Sequence, residues 1–179
     1  GQLNLGGVGS PKVVGSAIGL DEAIRKGLVS SVGGFDAKAA EDAQKFAVEN
    51  SRMKIPLITG LDVVHGYYTI FPIPLASACS WNMPLLEESA RVAADEASAF
   101  GINWTFAPMV DICRDPRWGR IAEGAGEDPC LGSRIGRAMV RGFQGDDLSK
   151  PNTLLACVKH FALYGASEAG RDYNTVSMD

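Results

Sequence analysis

The chain has 179 residues, of which 46% are apolar and 21% charged, a balance that supports a folded core and excludes a disordered chain. Its formal net charge is −4 and it has no stripe or run of Lys and Arg, which sets nucleic-acid binding aside. No apolar run is long enough to span a bilayer, and no charged-then-apolar leader opens the chain.

Gly1 to Leu5 suits a short strand, followed by a glycine-rich connection. Leu20 to Gly27 reads as a short helix with Asp21 at its start and Gly27 at its end. Leu28 to Phe35 suits a second strand. Asp36 is placed to cap a helix over Ala37 to Arg52, where Ala39, Ala43, Phe46 and Ala47 recur at helical spacing. Ile55 to Leu61 is a third strand. A Pro-rich loop region, Tyr67 to Ser80, comes next. A helix then starts near Pro84, with Leu85, Leu86, Ala90, Ala93, Ala97 and Phe100 on one face and Gly101 as its C-terminal cap. Asn103 to Val110 is a fourth strand, Gly132 to Phe143 a helix, and Leu154 to Val158 a fifth strand.

Strands alternating with helices predict parallel strands joined by crossover helices, an α/β fold. A doubly wound open sheet and a closed eight-stranded barrel both fit that pattern. A whole barrel needs about 200 to 250 residues or more, so five strands would be the N-terminal portion of one. The chain starts at Gly1 without a Met and reads as a piece of a longer polypeptide. With no internal repeat or linker, 1–179 is taken as one domain. Cys79, Cys113, Cys130 and Cys157 form no C-x-x-C pair; they read as free thiols, with Cys157 in the core.

Polar residues fall where strands end. Strand three runs into Asp62, with His65 and Gly66 just beyond. Strand four runs into Asp111 and then Asp115-Pro116-Arg117-Trp118-Gly119-Arg120, and strand five into Lys159 and His160. In α/β barrels the C-terminal strand ends form the active face. A carboxylate acceptor with fixed cationic donors suits the vicinal hydroxyls of a small polar ligand, and Trp81, Trp104 and Trp118 could offer faces for a sugar ring. Plainer readings exist. Asp62 could cap the next segment, Arg117 and Arg120 could pair with Asp111, Asp115, Glu123 or Glu127, and His65 could be structural. Gly124, Gly126 and Gly132 suit turns, and no phosphate-binding loop or dinucleotide fingerprint is present.

Four ordered segments carry a resemblance: Gly60-Leu61-Asp62-Val63-Val64-His65-Gly66, Asp115-Pro116-Arg117-Trp118-Gly119-Arg120, Gly126-Glu127-Asp128-Pro129 and Lys159-His160-Phe161. Each is weak alone; in this order and spacing they resemble glycoside hydrolase family 3, of the bacterial periplasmic β-glucosidase type. The resemblance implies the N-terminal part of a (β/α)8 TIM-like barrel, about five βα units. It implies hydrolysis of terminal β-D-glucosyl residues with retention, without cofactor or metal, on a β-glucoside or short β-glucan oligosaccharide. β-Xylosidase, β-glucan exohydrolase and a non-catalytic carbohydrate-binding barrel are the alternatives. It further implies a periplasmic or secreted protein that does not enter a membrane, with a homodimer open to the full-length form.

Residue by residue, the resemblance gives Asp62, Arg117, Lys159 and His160 the ring hydroxyls, with Arg120, Glu123 and Glu127 supporting them. The family's nucleophile is an aspartate in a Ser-Asp-Trp or Ser-Asp-His segment, and its acid/base in two-domain members is a glutamate of a second domain. Neither is found here, so no catalytic residue is assigned in this chain. The aminosugar subgroup uses a histidine soon after the Lys-His pair; residues 161–167 have none, which argues against that subgroup.

Overall fold

The computed structural model describes residues 2–4, 18–33 and 37–178. Four strands form one sheet in the order β1-β2-β3-β4: β1 Gln2–Asn4, β2 Ser31–Gly33, β3 Ile58–Leu61 and β4 Trp104–Thr105. β1 pairs with β2 and β2 with β3, both in parallel. The α/β reading therefore holds as a partial parallel sheet. The helices are α1 Leu20–Arg25, α2 Ala37–Asn50, α3 Pro74–Ala78, α4 Met83–Ala99 and α5 Pro129–Gln144. The chain divides into two compact units, one of residues 1–61 with 99–104 and one of residues 62–98 with 105–179.

In the first unit, α2 buries Ala40, Ala43 and Ala47 along one stripe, and these small side chains admit close packing. The core there is Ala23, Ile24, Val29, Val32, Ala43, Ala47 and Leu57. Burial of a side chain such as Ile24, 2% exposed, contributes about 1.5–3 kcal/mol. Gln44 fixes the entry to β3: its Nε2 donates to Leu57 O at 2.6 Å and its Oε1 accepts from Leu57 N at 2.8 Å. Thr59, fully buried in β3, donates its N–H to Asn103 Oδ1 at 2.8 Å and its hydroxyl to Gly101 O. These side-chain bonds extend the sheet order past the strand pairing itself.

In the second unit, α4 and α5 cross at close range. Leu86, Leu131, Ile135, Ala138 and Ala78 form the core between them. Gly142 makes the approach possible, because a Cβ there would overlap Glu87 O and stand 2.6 Å from Ala90 Cβ. α5 starts where Asp128 Oδ1 accepts from Leu131 N at 2.7 Å, with Pro129 in the first turn, and stops at Gly145, whose φ is 58°. Beyond it, Leu154 N donates to Phe143 O at 2.9 Å.

Several elements differ from the expectations. Among the described residues, the expected strand at 28–35 is a strand over Ser31–Gly33 and the one at 55–61 shortens to Ile58–Leu61. Asn103 to Val110 keeps a strand only at Trp104–Thr105, and Leu154 to Val158 forms no named strand. The two segments nonetheless run side by side: Thr105 N donates to Leu155 O, Cys157 N to Ala107 O, Lys159 N to Pro108 O and Val110 N to Lys159 O, all at 2.8–3.0 Å. Pro108 has no N–H, so the ladder is interrupted at its middle. The 107–108 and 159–160 peptide bonds are both cis. The loop expected over 67–80 contains α3, opened by Pro74. α1 begins after Gly19, with no side-chain cap from Asp21. α5 extends past its expected ends to Pro129 and Gln144. The Asp36 cap and parts of the first two expected strands lie outside the described residues. All four cysteines are free, and Cys113 rather than Cys157 is the buried one.

Candidate sugar-binding site

Asp62 follows directly on β3, and Lys159 lies in the segment that runs beside residues 105–110. The Lys159 ammonium stands 2.7 Å from Asp62 Oδ1 and 4.0 Å from Glu123 Oε2. Its side chain is only 12% exposed, whereas that of Asp62 is 60% exposed. The pair thus has a shielded cation and an open carboxylate, so Asp62 retains lone pairs for a further donor.

His160 is anchored from below. One oxygen of Asp111, Oδ2, lies 3.0 Å from the His160 backbone N and 2.9 Å from its ring Nδ1. The Asp111 side chain is 1% exposed. Tyr164 packs edge-to-face against the imidazole, centroids 4.7 Å apart at 79°.

Arg117 sits elsewhere in the arrangement. Asp115 engages it through Arg117 N at 2.9 Å, Nε at 3.0 Å and Nη2 at 2.6 Å, while the guanidinium remains 71% exposed. This bidentate grip, led by the side-chain bond, holds the Asp115 carboxyl down at about 2. Asp62, Lys159 and His160 are brought to one place directly; Arg117 is linked to them through its neighbour. Trp118 packs edge-to-face on Tyr164, centroids 5.2 Å apart, and Tyr164 in turn touches His160.

Arg120 and Glu123 form a closed pair at 2.5 and 2.7 Å, and Arg120 also donates to Tyr164 Oη at 3.2 Å while lying over its ring. The Arg120 bonds pull the Glu123 carboxyl below its usual range, against the opposing effect of burial. Burial is the main cause that raises the Tyr164 phenol to about 12. Glu127 is exposed.

Trp118 does not offer a face to a sugar. It is 1% exposed and its Nε1 donates to Asp172 Oδ1 at 2.9 Å, so it is a core residue beneath the loop. Trp81 is 68% exposed. His65 ties off its own loop, with Nδ1 3.0 Å from Phe71 O and its carbonyl accepting from Phe71 N. The same loop is pinned by Glu96, which accepts from Tyr68 N, Thr69 N and Thr69 Oγ1 at 2.6–2.9 Å. Asp111 carries the same sequence signal as Asp62, an acid closing an apolar strand, but its partner is an imidazole rather than one of the nearby arginines. Tyr164 and Asp172 have no local signal in the sequence. Among the described residues no cluster of His, Cys, Asp and Glu is arranged to hold a metal ion, and no helix is long and apolar enough to cross a membrane.

A strand-end carboxylate, a shielded ammonium and an oriented imidazole thus stand together on a parallel α/β frame. Residues 21–179 match the family described as glycosyl hydrolase family 3 N terminal domain. The chain belongs to that family. It is 44% identical over 183 aligned positions to a periplasmic beta-glucosidase of Salmonella typhimurium, covering 99% of this chain and 23% of the relative. It is 35% identical to a beta-xylosidase of Formosa agariphila, over 76% of this chain and 20% of that protein. Among solved structures, a mutant beta-glucosidase from Listeria innocua in complex with laminaribiose superposes with a TM-score of 0.81 at 49% identity, over 83% of this chain and 21% of that one. The chain thus spans about a fifth of the length of these relatives.

Proposed function

We propose that the protein containing this chain hydrolyses terminal non-reducing β-D-glucosyl residues with retention of configuration, and that this chain supplies the residues that hold the glycosyl ring. The observation that carries the reading is the Asp62–Lys159 pair at 2.7 Å with Asp62 left open. A carboxylate accepts from hydroxyls and an ammonium donates to them, and two vicinal hydroxyls can bridge such a pair. His160 and the more exposed Arg117 complete the ring contacts in this reading. The partial sheet is read as the first part of a (β/α)8 barrel, and 1–179 as the N-terminal portion of that one domain.

Retention needs two carboxyl groups about 5–5.5 Å apart, one a nucleophile and one an acid/base. Near the site Asp62 pairs with Lys159, Asp111 with His160 and Glu123 with Arg120, and neither the Ser-Asp nucleophile segment nor the second-domain glutamate that the family resemblance implies is found among these residues. The bond-breaking pair is therefore assigned to the rest of the protein. The hydroxyl contacts contribute to rate as well as binding, because they strengthen as charge develops on the ring.

The Listeria relative's laminaribiose supports a β-glucan oligosaccharide as substrate. The name of the Salmonella relative supports a periplasmic or secreted protein. The Formosa relative supports a second reading, β-xyloside hydrolysis by the same arrangement. Initial rates of the intact protein on aryl β-D-glucoside, β-D-xyloside and α-D-glucoside decide between them. Turnover of the β-glucoside above the β-xyloside, with the β-anomer of glucose as first product, is expected. A faster β-xyloside favours the second reading, and turnover of neither β-glycoside refutes both.

A further inference from the structure

We infer that Asp111 is a positioning residue that fixes the tautomer of His160, with the proton on Nδ1 and Nε2 left as a hydrogen-bond acceptor for a ligand hydroxyl; the ligand part rests on the sugar-binding reading above.

A single oxygen, Asp111 Oδ2, meets both the backbone N–H and the ring Nδ1 of His160, at 3.0 and 2.9 Å. The backbone group can only donate, so this oxygen acts as an acceptor there. A carboxylate oxygen has lone pairs for both donors at once, and the arrangement closes with Nδ1 as the second donor. Asp111 is almost wholly enclosed, its side chain 1% exposed, so water cannot readily replace either bond. A neutral imidazole carries one proton. With Nδ1–H committed, Nε2 has the free lone pair. Tyr164, edge-on to the ring at 4.7 Å, resists a flip that would exchange the two nitrogens.

The consequence is a division of labour around the ligand. Lys159 can only donate, Asp62 as a carboxylate can only accept, and neutral His160 accepts at Nε2. A hydroxyl at His160 would therefore be read as a donor. A ligand that put an acceptor-only atom there, such as fluorine, would leave Nε2 unpaired.

The test is the imidazole 15N NMR spectrum of the intact protein labelled with 15N-histidine, recorded as pH is raised until the ring is neutral. His160 is assigned by the signals lost in His160→Gln. Expected is a protonated, pyrrole-type Nδ1 and an unprotonated, pyridine-type Nε2. The opposite tautomer in the wild-type protein overturns the inference, and needs no variant that might misfold. In Asp111→Ala, which removes the acceptor shared by the two donors, the tautomer mixture should shift toward Nε2–H. kcat/KM should fall about 10- to 100-fold, the size usual for the partner that orients a ligating imidazole. A folded Asp111→Ala protein with an unchanged tautomer also overturns it. The spectrum needs no substrate: the expected tautomer in a protein that binds no sugar would sink the sugar reading and leave the role of Asp111 standing.

Discussion

The Lys159 ammonium lies 2.7 Å from Asp62 Oδ1 although 97 residues separate the two in the chain. The lysine is shielded and the aspartate is open, so the contact is half buried and half offered to a ligand. An ion pair with one exposed partner adds little to stability, about 0–1 kcal/mol. In the proposed function, its role is the shape of the charge it presents to the ligand. Lys159→Met should thus leave the thermal midpoint of the intact protein nearly unchanged. It should cut kcat/KM on an aryl β-glucoside by about 100- to 1,000-fold, the usual loss of a fixed donor to developing charge. A large loss of stability with unaltered turnover per folded molecule would reverse that assignment.

The Asp115–Arg117 clamp should respond to acid. The Asp115 carboxyl is lowered from 3.8 to about 2, chiefly by the Arg117 side-chain bond. A depressed folded value means that the clamp's stabilisation is fully present above about pH 4 and is lost as pH falls through about 2. Asp115→Asn removes the charge at every pH. The difference in unfolding midpoint between wild type and Asp115→Asn should therefore be constant at neutral pH and shrink as pH falls below 3.8 toward 2. A difference that grows on acidification would contradict the pairing.

Trp118 is the structural centre of the loop that carries Arg117. Trp118→Ala should cost about 3–5 kcal/mol in urea unfolding, as for other buried aromatic truncations. Trp118→Phe keeps most of the packing on Tyr164 but loses the bond to Asp172, and should cost nearer 1–3 kcal/mol. Equal, small losses in both would mean that the indole is a surface group, free to act as a sugar platform.

Two glycines of α5 should respond with opposite signs. Gly142→Ala must push its Cβ into Glu87 O and Ala90, and should destabilise by about 1–3 kcal/mol. A Cβ on Gly132 meets only Ile112 Cδ1 at 3.8 Å, an ordinary contact, so Gly132→Ala should gain about 0.5–1 kcal/mol from helix propensity. Chemical denaturation of the two variants distinguishes the α4–α5 crossing from a looser arrangement.

The alternation of α2, β3, α4 and α5 is legible in the sequence because each helix carries a clear period and some carry a boundary residue, such as Gly101 after α4, whereas the Asp128-Pro129 start of α5 lies ahead of the Gly132 that the period marks. What the sequence conceals has physical causes. The strands are shorter than their apolar runs: Leu28 N donates to Ala23 O at the end of α1 instead of across the sheet, and Ile55 stands exposed before β3. The 103–110 segment reads as one strand by apolar content, but Pro108 removes a donor in the middle of its ladder. At the site, Asp62, Lys159 and His160 stand out because each follows an apolar run. The His160 partner Asp111 shares that signal, yet its bond to a residue 49 positions away is a tertiary fact. Trp118 misleads because an indole next to arginines resembles a binding face, whereas its ring fills the space under Tyr164.

The central claim is that Asp62 holds a sugar hydroxyl. It is tested most directly by kcat/KM of the intact protein and its Asp62→Ala variant on an aryl β-D-glucoside, with folding verified by an unchanged unfolding midpoint. A loss of at least about 100-fold is predicted, the cost of leaving a hydroxyl and the Lys159 ammonium without their shared acceptor. An unchanged kcat/KM in the folded variant would remove Asp62 from the site, and with it the assignment of Lys159 and His160 to the ring hydroxyls.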